Sequence, residues 1–149
     1  MVWRGLRRLG VPEANIEDAV QDVFLVAHRR LADFEGRSSV KTWLYGIVLR
    51  VARDHRRAQT RHTARVERIT QILSSSDSSG QSPLNEAERR EANQALHAIL
   101  AELEQDHREI LVLMELEGLS VRDAAALLHL HVRTCQRRLG AAHAASRTT

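Results

Sequence analysis

The chain has a single cysteine, Cys135, among 149 residues, only two prolines, and an aromatic content of 3%. One thiol excludes an internal disulfide and a cysteine-rich zinc site, and it fits a reducing compartment. No apolar run approaches the ~20 residues that cross a bilayer. The opening "MVWRGLRRLG" lacks the apolar stretch of a secretory signal. A cytoplasmic protein is therefore expected. Strand-like alternation is also missing, while alanine, leucine and arginine are abundant, so the expected fold is all-α. There is no Gly-rich phosphate loop, no nucleophile triad and no paired-carboxylate site. No enzymatic activity and no cofactor are expected.

Charge is present in quantity but divided. Charged residues make up 28%, the formal net charge is +3 and the sequence pI is near 9.9. Arginines gather at 50–68 and 133–138, whereas acids gather at 13–22 and 102–117. Such separation points to a polyanion on some faces and a different partner on others.

"SSSDSSGQSP" (74–83) can bury nothing and reads as a flexible linker. It divides the chain into a first helical domain (1–59), a connection (60–85) and a second domain (86–149). In the first domain Ile16, Ala19, Val20, Val23, Phe24, Ala27 and Leu31 form one apolar stripe on a helix over roughly 13–32. Asp18, Gln21, Asp22 and Leu25 fall on another face. After the interruption "DFEGRSS" (33–39), Val40, Trp43, Leu44, Ile47 and Val51 mark a second helix that runs into "RDHRR". Val66, Ile69 and Leu73 carry helical spacing into the connection.

In the second domain Ala92, Ala95, Leu96, Ile99, Leu100 and Leu103 make another stripe. Asp106, with Glu109 three residues on, predicts an N-cap, and Gly118 predicts a stop. Ser120 and Asp123 form a second capping box, opening a helix with Ala124, Ala125, Leu127 and Leu128. "HLH" (129–131) is a short turn. The next helix places Val132, Cys135, Leu139 and Ala142 inward, with Arg133 and Arg137 directed away and Thr134, Gln136 and Arg138 flanking them. This is the pattern of a helix-turn-helix, whose second helix enters the DNA major groove. Arginine and glutamine suit base edges; arginine and threonine also suit phosphates. His129, His131 and Cys135 lack a fourth ligand at zinc spacing, so no metal is expected.

These segments together resemble a known family. "EDAVQDVFLVAHRRLADFEGRSSVKTWLYGIVLRVARDHRR" (17–57) is similar to region 2 of bacterial RNA polymerase sigma factors, and "LAELEQDHREILVLMELEGLSVRDAAALLHLHVRTCQRRL" (100–139) resembles their region 4. Only these two regions on a short linker is the layout of the extracytoplasmic-function group. The resemblance implies a protein that binds core polymerase, directs it to promoters and helps open the −10 element. It implies that Asp18, Gln21, Asp22 and Leu25 dock on the clamp helices of the polymerase β′ subunit. Lys41, Arg50, Arg53, Arg56 and Arg57 would hold the −10 single strand, with Trp43 and Tyr45 as the candidate stacking platforms: Tyr45, off the apolar stripe, is the better one, and Trp43, on the stripe, is expected to pack in the core. Arg133, Thr134, Gln136, Arg137 and Arg138 would read the −35 duplex. An anti-sigma factor is a further expected partner. The rival readings are a stand-alone helix-turn-helix regulator and a sigma-like decoy.

The sequence departs from the family in places. Only about a dozen residues precede the acidic motif, as though the chain begins inside the usual first helix. His129 and His131 stand where glycine and proline are usual, and Arg50 where asparagine is common. "GAAHAASRTT" is less basic than the usual tail. The tether has a flexible span of roughly 25–30 Å and an extended reach of about 80–90 Å. Both suit DNA elements one or two turns apart at ~34 Å per turn.

Overall fold

A computed structural model describes residues 1–69 and 87–148. The serine-rich stretch 74–83 and Leu73 lie outside them. The fold is all-α, and no strand occurs among the described residues. The helices are α1 (Val2–Arg8), α2 (Ile16–Arg30), α3 (Val40–Ile69), α4 (Ala87–Glu102), α5 (Gln105–Leu111), α6 (Val121–Leu128) and α7 (Val132–Thr148). No helix among the described residues is long and apolar enough to cross a membrane.

In the first half α1, α2 and α3 pack on one another. Leu6 and Leu9 share one buried core with Ile16, Ala19 and Val23 of α2 and Val48 and Ala52 of α3. Gly5 lets α1 lie close over Tyr45: a Cβ there would stand 2.9 Å from the Tyr45 hydroxyl. The helix expected over 13–32 is α2 flanked by 3-10 turns at Glu13–Asn15 and Leu31–Asp33. Its stripe is narrower than the sequence suggests. Phe24 is 56% exposed, because at about 100° per residue it lies at the edge of the arc centred on Ile16, Ala19 and Val23; Leu31, 61% exposed, stands past the end of α2 in the 3-10 turn. α3 runs past residue 59, the expected domain boundary, to Ile69. Its good helix formers meet neither glycine nor proline in that stretch.

In the second half α7 packs chiefly on α5 and then on α6. Burial on the α4 stripe is confined to its end: Leu100 is buried, Leu96 and Ile99 half-buried, and Ala92 and Ala95 exposed. The expected N-cap at Asp106 is displaced. α5 begins at Gln105 after Glu104, and Asp106 sits in the first turn, where a negative charge still favours the helix N-terminus. Glu109 does not reach back to cap; it is drawn into the core between the two halves. Beyond α5 the helix widens into a π turn over Val112–Leu116. Gly118, with φ +70°, then ends it.

The halves meet. Leu127 of α6 approaches Gly46 of α3 so closely that a Cβ at 46 would lie 3.1 Å from Leu127 Cδ2. Buried side chains from both halves belong to one continuous apolar cluster.

Candidate nucleic-acid and polymerase interfaces

The helix-turn-helix is built as its sequence requires. Ser120 Oγ accepts from the Asp123 N–H at 3.1 Å, which caps α6. His129 closes α6 in the left-handed conformation, φ 55° and ψ 43°. There the Leu130 N–H reaches Ala125 O at 2.9 Å and the His129 N–H reaches Ala126 O at 3.3 Å, satisfying carbonyls that a helix end otherwise orphans. Ala124 and Ala125 of α6 and Cys135 and Ala142 of α7 are buried. Cys135 Sγ lies 3.9 Å from Met114 Sδ, and burial pushes its thiol up, with Arg138 opposing the shift.

Arg133, Gln136 and Arg137 are exposed along the outward side of α7. Thr134 is half-buried. Arg138 departs from the expected DNA face, since it turns back toward α5 and pairs with Asp106 at 2.7 Å. Position 138 lies about 100° round the helix from 137, which carries it from the free face to the α5 side.

The arginines of α3 divide in the same way. Arg50 and Arg57 are exposed. Arg53 and Arg56 instead converge on Glu109 of α5. Arg53 donates to both carboxylate oxygens, at 3.0 and 2.6 Å, and Arg56 donates to one of them at 3.0 Å. Arg56 also donates to the Leu9 carbonyl. Glu109 is 2% exposed. Burial pushes its carboxyl up, but hydrogen bonds from Arg53 and then Arg56 more than reverse this and hold it below the usual range. A carboxylate thus occupies the position on both guanidiniums that a phosphate would take. Lys41, on the exposed start of α3, is likewise engaged, its Nζ donating to the Glu117 carbonyl at 2.5 Å.

Tyr45 contradicts its expected place as a stacking platform. It is fully buried, and in this arrangement no base reaches its ring. Burial, then the neighbouring Glu117 carboxylate, push its hydroxyl well above the ordinary tyrosine range. It lies off the apolar stripe of α3 yet is buried because α1 covers that side, a contact that no periodicity within α3 reveals. The accessible aromatic pair is Phe34 and Trp43, with ring centroids 5.2 Å apart. Trp43, expected in the core, is half-buried. It lines a groove of about 690 Å³ with Arg29, Arg30, Arg50, Leu127 and His129. The sequence signal for the pair was an aromatic in the loop ahead of a second one on the next helix.

On α2, Asp18, Gln21, Asp22 and Leu25 are all exposed on one face. Asp22 meets His55 of α3 at 2.7 Å. Phe24, which stripe reasoning assigned inward, is also exposed, beside this face. Leu25, 48% exposed, stands among these acids, and an apolar side chain exposed there suits a protein partner.

Comparison with known proteins agrees with the sequence resemblance. The family model for sigma-70 region 2 matches residues 1–62, and that for sigma-70 region 4 matches residues 93–144. The chain is 31% identical over 135 residues to the ECF RNA polymerase sigma-E factor of Escherichia coli, covering 87% of this chain and 70% of that protein. It is 29% identical over 150 residues to the RNA polymerase sigma factor CnrH of Cupriavidus metallidurans, covering 93% and 74%. Among solved structures, CnrH in complex with the cytosolic domain of CnrY superposes with a TM-score of 0.69 at 28% identity, covering 99% of this chain and 78% of that one. The sigma factor RpoE of Bartonella quintana, in complex with the anti-sigma factor NepR, shares the fold with a TM-score of 0.69 at 24% identity, covering 99% and 90%. The chain belongs to the extracytoplasmic-function sigma factors of the sigma-70 family, which direct RNA polymerase to specific promoters and initiate transcription there.

Proposed function

We propose a division of labour among the faces of this sigma factor. The outward side of α7 reads the −35 element as duplex, with Arg133, Gln136 and Arg137 at base edges and Thr134 on the backbone. The exposed side of α3, with Arg50 and Arg57, holds the −10 single strand, and Lys41 joins it on leaving the Glu117 carbonyl. Arg53 and Arg56 join it once Glu109 releases them. Phe34 and Trp43 take over the stacking role expected of Tyr45. The α2 face of Asp18, Gln21, Asp22 and Leu25, with Phe24 beside it, docks on the β′ clamp helices. The protein works in the cytoplasm, performs no chemistry of its own and is held inactive by an anti-sigma factor, the kind of partner named for the Bartonella relative.

The observation that carries this reading is the free row of Arg133, Gln136 and Arg137 on a helix seated behind a capped, tightly turned partner. Run-off transcription with purified core polymerase on a promoter library tests it. New transcripts should appear with the chain and vanish with Arg137→Ala. Polymerase binding without transcripts would favour the decoy reading, and absence of polymerase binding would remove the initiation role.

A further inference from the structure

α3 outlasts the core on which it packs. Its Val51 and Ala52 are buried, but from residue 57 to residue 66 every side chain is exposed. No acid occurs between Asp54 and Glu67. The only apolar residues in that projecting length are Ala58, Ala64 and Val66, so it offers nothing to bury against a protein partner. Extending an already nucleated helix is nearly neutral in free energy. Arg57 and Arg61 still border a pocket shared with Gln105 and Asp106 of α5, and beyond them the helix is a rod whose surface is decided by its charges. At about 100° per residue, Arg57, Arg61 and Arg65 stand in line one turn apart, on the same edge as Arg50. None of Arg57, Arg61 and Arg65 forms an ion pair among the described residues. Gln59, the nearest amide, points to the opposite side.

We propose that the Arg57–Arg65 edge of α3 is a track for the phosphate backbone of duplex DNA between the two promoter elements, gripping it without regard to sequence. This rests on the promoter-binding assignment above and extends it beyond both elements. Single-strand grip combines charge with stacking rings, and this segment holds no Phe, Tyr or Trp. Charge without a ring suits an intact double helix. Three guanidiniums spaced one turn apart along a straight edge match the regular charge of a phosphate backbone, and the intervening Gln59 lies on the opposite side. The ladder covers about 12 Å, or roughly three to four base pairs at 3.4 Å each. Arg57, at the junction, adjoins the single-strand set, while Arg61 and Arg65 belong to the track alone.

The test is the affinity of the reconstituted holoenzyme for two fluorescent templates as salt is raised. One is a promoter duplex; the other is a fork with a single-stranded −10 element and no duplex upstream of it. With R61A/R65A, binding to the duplex promoter should weaken about tenfold at low salt. The log–log salt slope should become shallower by about 1.8, near 0.9 for each phosphate that an arginine no longer neutralises. A scrambled spacer should show the same weakening, the fork none, and R61K/R65K should keep most of the slope. An unchanged slope, or an equal weakening on the fork, would overturn the track. So would an effect confined to core-polymerase binding, which would assign the edge to a protein surface. A wild-type holoenzyme that binds no promoter would instead overturn the promoter-binding assignment itself.

Discussion

Glu109 of α5 holds Arg53 and Arg56 of α3 with one buried carboxylate, at 2.6 and 3.0 Å for the closest approach of each. The helix-turn-helix half thereby occupies two arginines of the half proposed above to face the −10 strand. On the proposed assignment DNA and Glu109 compete for the same guanidiniums, so Glu109→Ala should raise the affinity of the polymerase-free chain for −10 single-stranded DNA. It should also lower stability by about 1–3 kcal/mol. That is less than the 3–5 kcal/mol of a fully buried pair, since Arg53 keeps 33% of its side chain in solvent. Fluorescence polarisation and urea denaturation measure the two effects. A loss of stability with no gain in binding would remove the competition.

Acid should loosen the same contact. Glu109 is held below its ordinary value by its arginines. A carboxylate depressed in the folded state contributes stability above its unfolded pKa of about 4.3. That contribution disappears as pH falls through the folded value. The stability gap between wild type and Glu109→Gln should therefore be flat from about pH 5 to pH 8 and close only below about pH 4. Denaturation midpoints across that range test it; a gap that closes near neutrality would implicate a different group.

Arg137 and Arg138 are neighbours with opposite surroundings. Arg137 is free in solvent, whereas Arg138 pairs with Asp106 at 2.7 Å. Arg137→Ala should cost about 1–3 kcal/mol of binding at one base position and relax specificity there. Arg138→Ala should remove a partly exposed pair worth about 0–1 kcal/mol of stability and leave base preference intact. Binding selections on a randomised −35 duplex distinguish them: altered specificity with Arg138→Ala would place that side chain on DNA.

Gly5 is required by close approach to a buried ring. A Cβ at position 5 would stand 2.9 Å from the Tyr45 hydroxyl and 3.1 Å from Tyr45 Cε1. Gly5→Val should destabilise the chain by about 1–3 kcal/mol through overpacking. Gly5→Val with Tyr45→Phe, which removes the clashing oxygen, should recover part of that loss. Thermal denaturation of the single and double variants checks it; no recovery would move the strain elsewhere.

The sequence by itself determined the all-α class, the helix-turn-helix and the outward row of Arg133, Gln136 and Arg137. These are local properties. Ser120 caps within three residues, His129 closes a helix against the turn before it, and periodicity separates inside from outside on a single helix. Tertiary structure decided what covers each face. Tyr45 is buried because α1 crosses it, Phe24 is exposed because no helix covers the stripe's edge, and Arg53 and Arg56 are occupied because α5 brings Glu109 to them. Glu109 shows the limit most plainly. Within its own helix it reads as a capping residue three places after Asp106. Yet its partners lie 53 and 56 residues away in sequence, and no pattern of period 3.6 carries information across such a distance.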